Sequence, residues 1–194
     1  MAAVKRLCVY CGSASGTDDA YREAARELGG RMAAEGIELV YGGGRIGLMG
    51  LLADAVLTGG GRVTGIIPGH LHDYEVGHHG VSELIVVPNM HERKRRMFER
   101  SDAFAVLPGG LGTLDEAFEM ITWKQLGLHD KPIVVLDAAG YWQPFQALVE
   151  HIVAHGFARP GVLALYDIVP SVDRLFEVLE RAPPPVIDSE TKLM

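Results

Sequence analysis

Four segments of this chain carry the residue types that could do chemistry. Three are rich in glycine: Cys11-Gly12-Ser13-Ala14-Ser15-Gly16, Tyr41-Gly42-Gly43-Gly44-Arg45-Ile46-Gly47-Leu48-Met49-Gly50 and Pro108-Gly109-Gly110-Leu111-Gly112-Thr113. Each follows a short apolar run and leads into an amphipathic stretch. Glycines let backbone N–H groups approach an anion, and a helix start adds partial positive charge. The third segment makes the best nest for a phosphate, with the Thr113 hydroxyl as a further donor. The first reads equally well as a tight turn capped by Thr17 or Asp18. The second resembles a dinucleotide fingerprint, but that pattern belongs after a first strand, with an acidic residue ending the second. Gly65-Ile66-Ile67-Pro68 stands where that acid is required, so NAD binding is disfavoured. Gly47 and Gly50 also read as glycines of close helix–sheet packing, and Gly50 is assigned to that role. None of the loops has the Gly-Lys-Ser/Thr of a P-loop, which argues against ATP hydrolysis.

The fourth segment, Asn89-Met90-His91-Glu92-Arg93-Lys94-Arg95-Arg96-Met97, puts four successive cations in the early turns of a helix. There the helix dipole disfavours each by about 0.3–1 kcal/mol. A nearby anion or carboxylate would relieve the repulsion, and violations of this kind mark functional sites. Arg95 and Arg96 are assigned to a solvated face, Arg93 and Lys94 to a site. Glu116 has two readings. Thr113-x-x-Glu116 is a capping box, in which Glu116 would only bond the Thr113 amide. It is also a carboxylate one turn into a phosphate-binding helix, within reach of a sugar attached to that phosphate.

The elements that position these groups alternate. Leu7–Tyr10, Glu38–Tyr41, Val63–Ile67, Leu84–Val87, Phe104–Leu107, Ile133–Leu136 and Asp167–Val169 read as strands. Asp18–Glu35, Leu48–Thr58, His91–Arg100, Leu114–Leu126, Pro144–His155 and Val172–Glu180 read as helices by their 3.6-residue period. This order predicts a Rossmann-like α/β fold: a doubly wound, mostly parallel sheet in three α/β/α layers, with its ligand site beyond the carboxyl ends of the strands. The chain of 194 residues is expected to be one nucleotide-binding catalytic domain over residues 1–181, with 182–194 as a loose tail. The longest irregular loop, Pro68–Gly80, is placed over the site. Trp123, Phe145 and Phe157 are expected in the core.

Composition narrows the function. A net charge of −7 gives no general attraction to nucleic acid or an anionic membrane, so any anion needs a local site. No apolar run suits a membrane helix and the N-terminus lacks a signal-peptide layout, so a cytoplasmic location is expected. Cys8 and Cys11, three apart on a strand, point to opposite faces, which suits reduced, partly buried thiols rather than a disulfide or zinc. His70, His72, His78 and His79 read as a hydrated surface loop, and no metal site or cofactor is expected. Ser13 and Ser15 lack a nucleophile elbow. Lys94, Lys124 and Lys131 have no pyridoxal motif around them.

Taken together, Pro108–Glu116 resembles the P-G-G-x-G-T-x-x-E motif, and Met90–Lys94 the M-H-x-R-K motif, of the Lonely Guy family. Cys11-Gly12-Ser13, Tyr41–Gly50 and Ile121-Thr122-Trp123 extend the resemblance to about Gly140. Members are cytokinin-activating phosphoribohydrolases, often mislabelled as lysine decarboxylases. The resemblance implies cleavage of N6-substituted adenosine 5′-monophosphates, or AMP, to free base and ribose 5-phosphate. It makes Arg93 and Glu116 the catalytic pair. It makes Lys94 and the loop Gly109, Gly110, Leu111, Gly112 and Thr113 phosphate and ribose contacts. Ser13, Gly43, Gly44, Glu75, Met90 and Thr122 complete the implied substrate-binding set. Asp115 replaces the family's usual Glu and is expected to face away from the sugar. The resemblance also implies a homodimer. A non-catalytic carrier of a nucleotide or pterin-type cofactor is the rival reading.

Overall fold

The computed structural model describes residues 4–72 and 77–182. Among them the strands are β1 (Arg6–Tyr10), β2 (Glu38–Tyr41), β3 (Val63–Pro68), β4 (Glu83–Val87), β5 (Ala103–Val106), β6 (Ile133–Leu136) and β7 (Asp167–Val169). They form one sheet in the order β4-β3-β2-β1-β5-β6-β7, and every neighbouring pair is parallel. The helices are α1 (Asp19–Ala34), α2 (Gly47–Thr58), α3 (Gly69–His72), α4 (Met90–Glu99), α5 (Leu111–Gln125), α6 (Gln143–Ala154) and α7 (Val172–Arg181).

The central strands are apolar on both faces because both faces are covered. Leu7, Val9, Leu39, Tyr41, Ala103 and Ala105 pack with residues of α1, α2 and α7. Their alternates Cys8, Tyr10, Val40, Phe104 and Val106 pack with α4, α5 and α6. The doubly wound three-layer architecture expected from the alternation is therefore what forms. Cys8 and Cys11 do face opposite layers, and both are buried rather than partly so. Burial pushes the Cys8 thiol up to about 12, and the Cys11 thiol further in the same direction, so neither is a ready nucleophile.

Strand order reverses between β1 and β5, and there the two following loops diverge to opposite layers. This opens the crevice in which ligands of such sheets sit. The Gly12 amide donates to the Pro108 carbonyl at 3.0 Å, tying those two loops together at the crevice. The chain from β4 at the sheet edge must return past three strands to reach β5. Its helix, α4, crosses that layer and ends up beside α5.

Several local expectations change. Helix α5 starts at Leu111, three residues earlier than the apolar period indicated, with Gly110 as its N-cap. Thr113 is thus inside the helix and the Thr113/Glu116 capping box does not form. Gly50 is tightly packed, but against the Arg45 carbonyl of its own loop, where a Cβ would lie at 1.8 Å, not against the sheet. Pro68–Gly80 is not irregular throughout: Pro68 completes β3, α3 follows, and Gly77 bridges to Gly44. Residues 73–76, including Glu75, and the tail from 183 lie outside the described residues. Phe157 is 88 % exposed instead of buried, because it stands in the turn after α6. His78, assigned to a hydrated surface, is buried and bonds Asp54 at 2.9 Å, whereas His70 and His79 are exposed.

Candidate active site

Three loops meet backbone to backbone at the carboxyl ends of the strands. The Gly12 carbonyl accepts from the amides of Leu48 and Met49, at 3.1 and 3.4 Å, and so caps α2 in place of any side chain. A Cβ on Gly47 would lie 2.3 Å from the Ser13 carbonyl carbon, and Gly47 has a φ of +64°, so glycine is required twice over. A Cβ on Gly109 would lie 2.1 Å from the Thr113 hydroxyl oxygen. At the N-terminus of α5, Gly110 supplies no side-chain cap, Leu111 and Gly112 are exposed, and Thr113 is buried. First-turn amides have no partner within the helix, and here no side chain caps them. A cavity of about 250 Å³ adjoins it at the switch point, walled by Ser13, Gly110, Tyr21 and Tyr141.

Glu116 lies in the second turn of α5. Its Cβ leans toward the helix N-terminus, which brings the carboxylate back toward those amides. There it meets Arg93: Nη1 lies 3.0 Å from Glu116 Oε1, and the two side chains are only 10 % and 8 % exposed. The guanidinium is held on its other sides too. Its Nε donates to the Ile66 carbonyl at the end of β3, at 3.1 Å. Nη2 lies over Gly42, where a Cβ would come within 2.1 Å. Nη1 also approaches the Met90 sulfur at 4.0 Å. Dehydrating an ion pair costs several kcal/mol per ion, and apolar replacements of such pairs are often as stable. The pair is therefore poorly explained by stability and well explained by chemistry.

The cation run on α4 resolves into separate partnerships. Asn89 caps the helix by accepting from the Glu92 amide. Glu92 itself turns to Arg95 and Arg96, at 2.9 and 2.6 Å. The Lys94 ammonium lies 3.2 Å from Asp115 and 3.1 Å from Glu119 of α5. So α4 tolerates cations near its positive end because carboxylates of α4 and α5 compensate them.

The structure thus brings together Arg93, Glu116, Met90 and the loop Gly109–Thr113. Ser13 is exposed at the same crevice. Gly43 and Gly44 are buried under the segment that returns from α3: the Gly43 carbonyl accepts from the His78 amide, and Gly44 bridges to Gly77. Thr122 is exposed on the outer side of α5, away from the inward-facing Glu116. Sequence reasoning missed Gly42, Tyr21, Tyr141 and the Ile66 carbonyl. Only Gly42 left a signal, as the first of three glycines. A second cleft of about 400 Å³, at the ends of β6 and β7, has Asp137, Glu150 and Asp167 in its lining and no lysine or arginine. It would repel a phosphate. Among the described residues no group of three or more His, Cys, Asp or Glu could hold a metal. No helix among them is long and apolar enough to cross a membrane.

A parallel sheet with this crevice, uncapped helix start and buried Arg–Glu pair defines an α/β protein of Rossmann-like type. A family model described as possible lysine decarboxylase matches residues 49–179. Over 176 residues the chain is 46 % identical to the cytokinin riboside 5′-monophosphate phosphoribohydrolase LOG1 of Arabidopsis thaliana, covering 91 % of this chain and 83 % of that protein. Over 180 residues it is 44 % identical to LOG3 of the same plant, covering 93 % and 84 %. The chain belongs to this family, the Lonely Guy family that its motifs resemble. Among solved structures, the molybdenum cofactor binding protein of Rippkaea orientalis shares the fold with a TM-score of 0.69 at 21 % identity, covering 93 % of this chain and 98 % of that one. The molybdenum cofactor carrier protein of Chlamydomonas reinhardtii does so with a TM-score of 0.68 at 19 % identity, covering 91 % and 96 %.

The decarboxylase description would need a lysine free to hold pyridoxal phosphate. Lys94 is engaged by two carboxylates, and Lys131 donates to the Phe98 carbonyl at 2.7 Å, at the opposite end of the sheet from the loops. Lys124 is in the last turn of α5, about 20 Å of helix axis from its first-turn amides. These residues do not fit that cofactor.

Proposed function

We propose that the chain is a phosphoribohydrolase. It cleaves the N-glycosidic bond of N6-substituted adenosine 5′-monophosphates, and of AMP, to give free base and ribose 5-phosphate. The observation that carries this reading is the buried Arg93–Glu116 pair, with Glu116 in the second turn of a helix whose first-turn amides have no side-chain cap. Relatives at 44–46 % identity that bear the phosphoribohydrolase name support it.

The phosphate sits on the amides of Gly109, Gly110, Leu111, Gly112 and Thr113, with Ser13 and Lys94 as further donors. The ribose then lies over Glu116. As the bond from C1′ to the base nitrogen breaks, positive charge builds on the sugar, as in glycoside hydrolysis. The Glu116 carboxylate stabilises that charge and orients a water, whose oxygen bonds C1′ while its proton passes through the carboxylate. The carboxylate then passes that proton to the departing base, which leaves neutral, and Glu116 is ionised again. Arg93 supplies the counter-charge that lets a buried carboxylate stay ionised, and it fixes the carboxylate's direction. Met90 packs beside Arg93, and Gly43 and Gly44 form the floor. Residues 1–181 make one catalytic domain working in the cytoplasm without a cofactor.

The working form is a homodimer that uses the outer side of α5. Leu111 and Leu126 are 85 % and 67 % exposed there, and Thr122 lies between them. In this arrangement Thr122 reaches substrate in the neighbouring subunit. Sedimentation of Leu126→Arg tests it: the variant should sediment as a monomer, and an unchanged dimer would remove α5 from the interface.

The function is tested by release of base and ribose 5-phosphate from isopentenyl-adenosine monophosphate and from AMP. Glu116→Gln should still bind nucleotide but lose about 10²- to 10⁴-fold in rate. Tight binding with no release by the wild type would favour a carrier instead.

A further inference from the structure

Tyr141 lies beyond the stretch covered by the motifs, yet the structure turns it back onto the phosphate loop. Its hydroxyl donates to the Gly109 carbonyl at 2.6 Å, across 32 residues of chain. Its ring lines the switch-point cavity and meets Tyr21 edge to face, with centroids 5.3 Å apart. The turn that presents it is strained. Ala139 has a φ of +51°, and among the described residues it is the only one other than glycine with a positive value; Gly140 follows at +74°. Backbone of this kind persists only where its surroundings over-determine it. Here the Asp137 carboxylate accepts from the Trp142 amide at 2.6 Å and closes the turn from the other side.

We propose that Tyr141 is a positioning residue for the 5′-phosphate, acting through the Gly109–Gly110 peptide. A peptide unit is planar and trans, so holding its carbonyl on one side fixes the following N–H on the other. The Gly12 amide holds the Pro108 carbonyl at 3.0 Å and so sets the Gly109 N–H. Tyr141 holds the Gly109 carbonyl and so sets the N–H of Gly110, the N-cap of α5. Glycines at both positions would otherwise let these planes rotate, and a nest whose amides turn is not preorganised. The two hydrogen bonds, one from the loop after β1 and one from the turn after β6, do for the peptide planes what a side-chain cap does elsewhere.

The inference rests on the reading that the α5 N-terminus takes a phosphate. It is tested on Tyr141→Phe, which keeps the ring and removes the donor. Tyr166→Phe is the control, since the Tyr166 hydroxyl donates to Gln146 at 3.0 Å and not to the phosphate loop. Binding of AMP and of adenosine is measured by calorimetry, with steady-state turnover of AMP alongside. Tyr141→Phe should weaken AMP binding and raise KM about three- to tenfold, the worth of one hydrogen bond. Its kcat and its adenosine affinity should match the wild type, and Tyr166→Phe should change neither ligand. Unchanged AMP affinity in Tyr141→Phe overturns the proposal, as does equal weakening of AMP and adenosine, which would mean a general loosening. If the wild type binds AMP but releases no adenine, the hydrolase reading fails, while the affinity comparison still decides the role of Tyr141.

Discussion

Gly42→Ala probes the Arg93–Glu116 pair through a residue that carries no chemistry of its own. The added methyl would stand 2.1 Å from Arg93 Nη2, and 3.2 Å from both Cζ of Arg93 and the Met49 sulfur. An arginine tip in open solvent would swing aside at little cost. This one is held by the Ile66 carbonyl at 3.1 Å and Glu116 at 3.0 Å, so making room for the methyl lengthens at least one of those contacts. A hydrogen bond to a charged group is worth about 1.5–3 kcal/mol, and overpacking alone costs about 1–3 kcal/mol. Taking one such loss in full, we expect Gly42→Ala to lower stability by about 2–3 kcal/mol, a fall in Tm of about 4–12 °C for a domain of this size. Phosphoribohydrolase turnover should fall about hundredfold, the effect of displacing a catalytic group by about 1 Å. Gly30→Ala, in the middle of α1 with nothing within 4 Å of the added carbon, is the matched control. It should gain about 0.5–1 kcal/mol and keep full activity. Thermal unfolding and AMP cleavage on the two variants decide the matter. Wild-type stability and turnover in Gly42→Ala would mean that the guanidinium shifts with both contacts intact, and the argued rigidity of the pair would be refuted.

Lys94 and Lys131 give two further tests. If Lys94 serves the phosphate as well as tying α4 to α5, Lys94→Met should raise KM for AMP about tenfold or more, while Asp115→Asn should leave KM unchanged or lower it. An equal rise in both would reduce Lys94 to a strut. At the other end of the sheet, burial pushes the Lys131 ammonium down to about 8, its nitrogen 3.8 Å from the Phe98 ring centroid. A lysine whose folded pKa lies below its unfolded value binds fewer protons when folded, so stability rises as pH climbs from 8 toward 10.5. The buried Cys8 thiol, pushed up to about 12, opposes this above pH 9, where only the unfolded thiol ionises. The wild-type Tm should therefore increase between pH 8 and 9, and Lys131→Met should flatten that increase. A slope that persists in the variant assigns it to another group.

How much of this was legible in the sequence follows from how each feature is encoded. The strands and most helices were readable because burial on both faces forces continuous apolar runs, and amphipathic faces force a 3.6-residue period. The start of α5 was not, because this helix begins on glycines that carry no hydrophobic signal. For the same reason the capping box, a sound inference from spacing, gave way to a glycine cap. His78 and Phe157 exchanged environments because both lie in connections, where composition does not say which way a side chain turns.

The site divides along the same line. Arg93 could be singled out because it broke a local rule: a cation in the first turn of a helix must have a reason. The reason turned out to be specific to each cation of the run. Glu92 takes Arg95 and Arg96, Asp115 and Glu119 take Lys94, and Glu116 takes Arg93. Of these partnerships only the last is buried on both sides. Exposed pairs are worth little, and a solvated arginine needs no partner at all. A dehydrated pair, by contrast, adds no clear stability, yet here residues of β3 and of the loop after β2, with two helices, are arranged around it. Gly42 is left without a side chain to admit it, and the Ile66 carbonyl is turned to meet it. Neither feature could be read from the sequence, because each is a consequence of where Arg93 goes and not of what the neighbouring residue is. That convergence, more than the motif itself, is the physical argument for the proposal that the pair is the working centre of the molecule.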